Sequence, residues 1–353
     1  MDLLQTFLNL VMPVFGVCTL VVLWPILTIR SMFLRFFNAI FEENVRGKVV
    51  LITGASSGIG EQLSYQYAKK GAVLVLIARR ESRLRIVSDR CIKRGAMDVR
   101  AISADVSKEE DCKRFIEETV NHYGRLDHLV NTAGMTHSFL VEEVQDSGPL
   151  NQIMDIDFWG YVYPTFYGLP HLKRSRGKIV VNASVISWLP YPRMAAYNAA
   201  KAAVFNFFET LRIELGSSIS GITIVTPGWI ESEMTMGKFI NTRGEIEVSE
   251  AQRDKHVGPA PIAYSEECAK AMLKGTLRNH RYVRFPYWYT TFLLYRVFAP
   301  EVLDFLLALV YMVPCPGRKD GAPLSKVLME IPGMKNLLYP NTIRHPRTKQ
   351  VKA

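Results

Sequence analysis

A tyrosine and a lysine four residues apart, Tyr197 and Lys201, are candidates for acid–base chemistry. Residues at positions i and i+4 lie on one face of a helix, so the two side chains are expected to be neighbours. A free tyrosine has a pKa of about 10 and is a poor base at neutral pH. A neighbouring ammonium group stabilises the phenolate and lowers that pKa. Alone, the pair is also consistent with an ordinary surface Tyr–Lys pair.

A glycine-rich turn earlier in the chain predicts a phosphate site. Thr53 to Gly60 reads TGASSGIG and stands between the apolar run 49–52 and a helix-permissive segment, 62–70. In a strand–turn–helix arrangement, the free N–H groups and the dipole of the helix start favour a pyrophosphate. The spacing is G-x-x-x-G-x-G rather than G-x-G-x-x-G, and a plain structural turn is the alternative. The residues expected to bind the phosphates are Gly54, Ser56, Ser57, Gly58, Ile59 and Gly60.

The elements that must position these groups alternate between strands and helices. Such alternation predicts a Rossmann-type, doubly wound parallel α/β sheet, in which ligands bind at the carboxyl ends of the strands. The predicted strands are 49–52, 73–78, 98–103, 126–131, 178–182, 222–225 and 281–285. The predicted helices are 62–70, 82–93, 108–122, 150–172, 195–215 and 266–277.

Four predicted strand ends carry candidate binding residues. Arg79 and Arg80 follow the second strand, where a site that prefers NAD usually has an acidic residue for the ribose 2′-hydroxyl. A guanidinium suits a 2′-phosphate, so NADP is predicted, with NAD and a surface arginine pair as alternatives. The further candidates are Asp105 and Val106 near the adenine, Asn131, Ala133 and Gly134 beneath the cofactor, and Ser184 after the fifth strand.

The first part of the chain is apolar. Residues 3–29 carry no charge, and this segment is long enough to cross about 30 Å of hydrocarbon as a helix. Pro13 and Pro25 lie within it, so the segment is predicted either to span a membrane or to enter and turn back; a buried core helix is the alternative. Asp2 precedes it and Arg30 and Arg35 follow, which predicts that the remainder faces the cytosol.

Composition narrows the classes of partner. The net charge is +10, but the basic residues are scattered and form no recognisable nucleic-acid motif, so no nucleic-acid partner is predicted. The five cysteines show no metal-binding spacing, and no metal is predicted. Residues 285–313 are rich in aromatic residues and leucine, which favours an amphipathic patch against a membrane, the substrate entrance or a second subunit, with core packing as the alternative. The basic tail from Gly317 is expected to be irregular.

Taken together, these motifs resemble the short-chain dehydrogenase/reductase family, classical type, over about residues 46–285. The matching residues are Thr53 to Gly60, Asp105, Asn131 to Gly134, Ser184, Tyr197, Lys201, Pro227 and Gly228. A closer similarity is to plant steroleosins, the 11-beta-hydroxysteroid dehydrogenase-like proteins of seed oil bodies. It rests on the apolar start with its two prolines and on residues 126–130, 158–160, 208–215 and 227–235.

The resemblance implies roles for individual residues. Tyr197 would be the general acid/base at the substrate oxygen, Ser184 would hydrogen-bond that oxygen, and Lys201 would lower the pKa of Tyr197 and bind the nicotinamide ribose, while Pro227 and Gly228 would border the cofactor. Asp157 stands where the family has a catalytic asparagine. An asparagine amide can donate a hydrogen bond, whereas an ionised carboxylate only accepts. A proton relay through Lys201 and water is therefore expected either to survive with Asp157 or to be slowed by it. Thr132 likewise replaces a family asparagine. Residues 229–256 would form a lid over the substrate.

The resemblance also implies the organisation and activity of the chain. Residues 1–45 would form the anchor, 46–285 the NADP-binding domain, and 286–353 an aromatic-rich extension with a basic tail. The expected activity is NADP-dependent hydride transfer to or from a steroid at the surface of a lipid droplet or the endoplasmic reticulum, with a homodimer expected from the family. The alternatives are a dehydrogenase for another lipid alcohol, a catalytically weakened droplet-coating protein, and a sterol- or nucleotide-binding sensor.

Overall fold

The computed structural model describes residues 2–318 and 320–344 and is built around a parallel sheet of seven strands. The strands are β1 (Val49–Thr53), β2 (Val73–Ala78), β3 (Asp98–Ser103), β4 (His128–Asn131), β5 (Lys178–Asn182), β6 (Gly221–Pro227) and β9 (Tyr282–Phe285). Their order is β3-β2-β1-β4-β5-β6-β9, and every neighbouring pair is parallel. The order reverses between β1 and β4, so their carboxyl ends diverge into the crevice where a ligand binds. The predicted fold class is confirmed.

Helices cover both faces of the sheet. They are α2 (Gly58–Lys69), α3 (Glu81–Lys93), α4 (Glu109–Tyr123), α5 (Gly148–Met154), α6 (Gly160–Ser175), α7 (Ala195–Leu215) and α9 (Ser265–Leu277). Successive strand residues alternate between two cores: Ile52 packs on the side of α2 and α9, whereas Leu51 packs on the side of α4, α6 and α7. Both side chains are fully buried, and each such burial contributes about 1.5–3 kcal/mol.

The predicted long helix 150–172 is interrupted. A π-helical turn, Asp155–Trp159, separates α5 from α6. Such turns insert one residue into the helical ladder and are frequent at functional sites. The turn buries Asp157 completely, which the 3.6-residue period alone does not predict.

The first helix, α1 (Asp2–Ile40), continues without interruption through Pro13 and Pro25. At 1.5 Å per residue its 39 residues extend about 58 Å. Its apolar window has a mean hydropathy of 2.4 and is not buried in the protein, which excludes the core-helix alternative. By length and composition, this helix is able to cross a membrane, and the chain does not reverse at either proline.

Two acidic residues after α1 fasten it to the amino edge of the sheet. Glu43 contacts Lys178 at 2.7 Å and His128 at 3.1 Å, and the His128 ring also meets the hydroxyl of Tyr67 at 3.0 Å. Burial alone would raise the pKa of Glu43, but the contacts with His128 and Lys178 hold that pKa well below its usual value. Glu42, more exposed, pairs with Lys70 at 2.7 Å. The connection between α1 and the domain is therefore fixed by a largely buried set of charges around Glu43 and by the more exposed Glu42–Lys70 pair.

We expect Glu43→Gln to lower the free energy of unfolding at pH 7 by about 2–3 kcal/mol, because it leaves the buried Lys178 ammonium uncompensated. A carboxyl group with a depressed pKa contributes stability above its unfolded pKa of about 4.3 and loses that contribution as the pH falls. The difference between the two proteins should therefore shrink below about pH 4. Urea unfolding at pH 7 and pH 3.5 measures this difference. The matched control is Glu42→Gln at the more exposed neighbouring position, for which a loss of about 1 kcal/mol or less is expected. Equal losses in the two variants would contradict this account of Glu43.

The segment after β6 is more ordered than a polar loop. It contains a hairpin, β7 (Lys238–Ile240) and β8 (Ile246–Val248), followed by α8 (Glu250–His256). It therefore has the form of a structured cover next to the carboxyl edge of the sheet.

The aromatic-rich segment contributes to the core and also exposes apolar surface. It forms α10 (Thr291–Phe298) and α11 (Pro300–Tyr311). Tyr289 and Leu303 pack with Val185 and Leu189 in one buried cluster. Phe298 and Phe305 point outward, with 81% and 65% of their surface exposed. One face of this segment therefore packs in the core, as one alternative predicted, and the other face is an exposed apolar patch, as the other alternative predicted.

The expectation of an irregular tail is wrong for its described residues. Three short helices follow residue 317, α12 (Leu324–Glu330), α13 (Met334–Leu338) and α14 (Asn341–Arg344). Tyr339 and Ile343 are buried against Val257 and Ile262, and the Tyr339 hydroxyl donates to the carbonyl of Gly258 at 3.0 Å. Helices of four to seven residues carry too little periodicity to be recognised, and tertiary packing stabilises them. The part of the predicted tail at 345–353 lies outside the described residues.

Candidate active site

The glycine turn forms the first wall of the site. Gly54 and Gly58 have φ angles of +68° and +59°, in the left-handed region that favours glycine. A Cβ on Gly60 would lie 2.4 Å from the Gly54 carbonyl oxygen, so the turn closes only with glycine there. Helix α2 begins at Gly58, and its first N–H groups are suited to hold an anion.

A cavity of about 420 Å³ runs from this turn across the carboxyl ends of the strands. Most predicted binding residues line it: Gly54, Ser56, Ser57, Gly58, Ile59, Gly60, Arg79, Asp105, Val106, Ala133, Gly134, Ser184, Tyr197, Pro227 and Gly228. Three predicted site residues lie behind its wall. Asp157 and Lys201 are buried next to Tyr197, and Asn131 donates to the Thr165 hydroxyl at 3.1 Å, which ties β4 to α6.

Tyr197 and Lys201 lie in the first two turns of α7, as their spacing predicted. The Lys201 ammonium is 5.6 Å from the centre of the Tyr197 ring. It also donates to the Tyr161 hydroxyl at 2.9 Å and contacts a carboxylate oxygen of Asp157 at 3.1 Å. Lys201 is therefore held in one position by groups from α6 and from the π turn.

Burial raises the pKa of Tyr197, and the Lys201 ammonium and the Ser184 hydroxyl partly oppose that shift. Without a further positive charge, the phenol therefore stays protonated at neutral pH. This qualifies the expectation that the lysine lowers the tyrosine pKa: its effect has the expected sign but is smaller than that of burial. In this state Tyr197 is ready to donate a proton, as the reduction of a carbonyl requires.

Ser184 is placed beside the tyrosine by the end of β5. Its hydroxyl caps the short helical turn Val185–Ser187 by accepting from the backbone of Ile186 at 3.3 Å. It also donates to the carbonyl of Pro227 at 3.4 Å. The hydroxyl is held at the cavity wall, where its one proton can turn from the Pro227 carbonyl to the same substrate oxygen that Tyr197 reaches.

Asp157 forms a buried ion pair with Lys201. Burial raises the pKa of its carboxyl group to about 6, against the lowering effect of Lys201 and of the hydrogen bond from the Met135 backbone. A Cβ on Gly134 would lie 2.8 Å from the carboxylate, so glycine at 134 leaves room for this side chain. At pH 7 the carboxylate is ionised and contacts the lysine directly.

Thr132, the other departure from the family pattern, has a structural role. Its backbone N–H meets the Thr53 hydroxyl at 3.2 Å, and its own hydroxyl donates to the Thr53 carbonyl. The threonine therefore joins β4 to β1 under the glycine turn.

Of the two arginines after β2, Arg80 is the one that faces the turn. It donates to the hydroxyls of Ser56 and Ser57 at 3.0 and 3.1 Å. Arg79 lines the cavity with a looser contact of 3.8 Å to Asp105. A guanidinium and two hydroxyls at the rim form a donor set for a phosphate group. Both arginines line the cavity, so Arg79 stays a predicted cofactor-binding residue, and the sequence alone does not show that Arg80 is the one that contacts the serines.

The other end of the cavity is apolar. Its lining residues there are Met135, Ile156, Val185, Ile186, Leu189, Tyr191, Met194, Trp229 and Tyr289. Tyr289 comes from the C-terminal extension. Its ring fits against Gly228 because glycine has no Cβ; a Cβ there would lie only 2.0 Å from the ring. Val185, Ile186 and Trp229 stand close to the motif residues Ser184 and Pro227 in the sequence. For the other apolar lining residues, no motif or spacing in the sequence indicates a place in the cavity.

The residues present fit a dinucleotide. The glycine cradle, Arg80 with its serines, and Tyr197 all line one cavity, and Lys201 stands directly behind Tyr197. In residues 2–318 and 320–344, no group of three or more His, Cys, Asp or Glu side chains is arranged to hold a metal ion.

Sequence comparisons identify the relatives of this chain. The family described as short chain dehydrogenase matches residues 48–242. An "11-beta-hydroxysteroid dehydrogenase" of Pinus massoniana is 56% identical over 88% of this chain and 87% of that protein. "11-beta-hydroxysteroid dehydrogenase A" of Sesamum indicum is 47% identical over 99% of both chains.

Solved structures share the fold. A short chain dehydrogenase from Burkholderia cenocepacia in complex with NADP has a TM-score of 0.61 at 22% identity, and covers 75% of this chain and 99% of its own. An alcohol dehydrogenase from Thermococcus sibiricus complexed with 5-hydroxy-NADP has a TM-score of 0.56 at 24% identity, over 68% of this chain and 95% of its own. With the family match and the full-length relatives, the conclusion is that this chain belongs to the short-chain dehydrogenase family.

Proposed function

We propose that this dehydrogenase transfers a hydride between NADP and the hydroxyl or keto group of a steroid, at the surface of a lipid droplet or the endoplasmic reticulum. The observation that carries the proposal is one continuous cavity that is lined by the glycine turn and Arg80, by Tyr197 and Ser184, and by apolar side chains. The relatives are named hydroxysteroid dehydrogenases, which supports the substrate class. One structural neighbour is a complex with NADP and the other a complex with 5-hydroxy-NADP, which supports the cofactor.

The protein's own groups handle the proton and the developing charge. When bound, the nicotinamide would supply or accept the hydride. In reduction, the Tyr197 hydroxyl donates its proton to the substrate oxygen while the Ser184 hydroxyl donates a hydrogen bond to it. The Lys201 ammonium, held by Asp157 and Tyr161, stabilises the resulting phenolate. In oxidation, the phenolate takes the proton back.

The direct test is nicotinamide absorbance with the purified full chain in detergent, a panel of hydroxysteroids and ketosteroids, and both NADP and NAD. We expect steroid turnover that is faster with NADP. Turnover of other lipid alcohols alone would support the alternative dehydrogenase. Cofactor binding without any turnover would support the catalytically weakened droplet protein.

We propose that α1 anchors the enzyme and that the exposed face of α10 and α11 lies on the same lipid surface. Both are apolar and exposed, and Arg30 and Arg35 follow the uncharged stretch, which favours a cytosolic catalytic domain. The three-part division of the chain, at residues 45 and 285, and the homodimer stay predictions.

Deleting residues 1–41 tests the anchor. The deletion stops before Glu42 and Glu43 because their ion pairs belong to the domain. We expect the shortened protein to leave the floating lipid fraction and to keep its turnover of soluble substrates, measured by flotation and absorbance. If it still floats, α1 is not the principal anchor. A full-length Cys18→Ser variant is the control and should float like the wild type.

A further inference from the structure

A carboxylate from the cover segment lies on the arginine at the cofactor end of the cavity. Arg80 contacts Glu233 at 2.5 Å, and Lys238 contacts the other oxygen of the same carboxylate at 2.7 Å. Both Glu233 and Lys238 line the cavity together with Ser56 and Ser57. We propose that Glu233 determines cofactor specificity, as an internal anion that competes with the 2′-phosphate of NADP for Arg80. The inference rests on the proposed dinucleotide binding.

The donors around Glu233 are those that a phosphate group would use. The second nitrogen of Arg80 donates to the hydroxyls of Ser56 and Ser57, at the start of the glycine turn. Guanidinium, ammonium and hydroxyl groups within one small region form a site for a dianion. In this structure a single carboxylate holds that place.

Glu233 is ionised in this position. Burial alone would raise the pKa of its carboxyl group, but hydrogen bonds from Lys238 and Arg80 hold that pKa below the usual value. The carboxylate offsets one of the two positive charges. A phosphate that approaches Arg80 therefore meets repulsion from Glu233 and must displace it.

The effect on the two dinucleotides differs in sign. The ribose of NAD carries a neutral 2′-hydroxyl, which donates a hydrogen bond to a carboxylate, as the acidic residue of NAD-preferring sites shows. The 2′-phosphate of NADP carries negative charge and prefers Arg80 without its carboxylate. Glu233 should therefore weaken the binding of NADP and either leave the binding of NAD unchanged or strengthen it. The ratio of the affinities for NADP and NAD should become smaller as a result.

The preference between NADP and NAD is also connected to the cover, the segment after β6 that contains Ser232 and Glu233. Ser232, the neighbour of Glu233, lies 3.3 Å from where a Cβ on Gly58 would stand, so the cover lies against the glycine turn. A plain surface ion pair is the other interpretation, since 37% of the Arg80 and 28% of the Glu233 side chain is exposed. A pair of that kind would not change the ratio of the two affinities.

The test is isothermal titration calorimetry of the full chain in detergent with NADP and with NAD. The variants are Glu233→Gln, Arg80→Gln and the double variant. Glu231→Gln is the matched control, because Glu231 lies in the same segment but contacts Ser265 and Thr342 instead. We expect Glu233→Gln to tighten NADP about tenfold and to change NAD by about threefold or less, in the weakening direction.

Arg80→Gln should weaken NADP about tenfold with little change in NAD, and Glu233→Gln should then have little further effect on NADP. The inference is overturned if Glu233→Gln weakens NADP, which would mean that Glu233 orients Arg80 for the phosphate. It is also overturned if both dinucleotides respond alike or if the control equals Glu233→Gln. In those cases NADP still binds and the proposed function stands. If neither NADP nor NAD binds, the inference about Glu233 and the proposed function are both overturned.

Discussion

Tyr197→Phe is expected to reduce turnover by about 10³-fold or more while leaving the fold and the affinity for NADP unchanged. The substitution removes only the hydroxyl, so the ring still packs in the wall of the cavity beside Ser184. Without the hydroxyl no group on α7 is left to give a proton to the substrate oxygen, because Lys201 lies behind the wall with its own partners. Steady-state absorbance and calorimetric titration of NADP measure the two quantities.

Ser184→Ala is the control for Tyr197→Phe. It removes a hydrogen bond to the same oxygen but no transferable proton, so a smaller loss, about 10²-fold, is expected. If the phenylalanine variant kept more than a tenth of the wild-type rate, Tyr197 would not be the acid/base and the central assignment would be wrong.

Lys201→Met is expected to reduce both turnover and stability. The ammonium is buried between the Asp157 carboxylate and the Tyr161 hydroxyl, at 3.1 and 2.9 Å. Its removal leaves Asp157 buried without a counter-charge, which costs about 3 kcal/mol, and removes the stabilisation of the phenolate, which lowers the rate by about 10²-fold or more. Urea unfolding and absorbance kinetics measure these losses.

The stability loss of Lys201→Met should depend on pH. A carboxyl group whose folded pKa is raised contributes stability below its unfolded pKa and loses it as the pH rises through the folded pKa, about 6 for Asp157. Without Lys201 that pKa rises further, so the variant continues to lose stability above pH 6 and the gap to wild type widens. The double variant Lys201→Met/Asp157→Asn is the control, and it should recover stability but not turnover. A gap that is independent of pH would contradict the ion pair.

The features fixed by local pattern were predictable from the sequence. Strands β2, β3 and β5 and helix α7 have the predicted bounds. Apolar runs determine β2 and β5, alternation of polar and apolar residues determines β3, and the 3.6-residue period determines α7. The Tyr197–Lys201 pair followed from helical spacing, and the glycine turn from the steric demands at Gly54 and Gly60.

Features that depend on tertiary contact were not predictable. Whether Arg79 or Arg80 faces the turn depends on the rotation of the chain after β2, and the contact with Ser56 decides it. The Glu233 carboxylate reaches Arg80 over 153 residues of intervening sequence. The burial of Asp157 depends on the π turn, and the short helices of the tail depend on where Tyr339 docks.

The most direct test of the account is hydride transfer itself. Purified full-length protein would be incubated with a ketosteroid and NADPH that carries deuterium at both positions of the transferring carbon, and the product would be analysed by mass spectrometry. We expect one deuterium on the new carbinol carbon, and about a thousandth as much labelled product or less in the same time when Tyr197→Phe replaces the wild type. NADPH that binds but never delivers deuterium to a steroid would contradict the proposal of a steroid dehydrogenase.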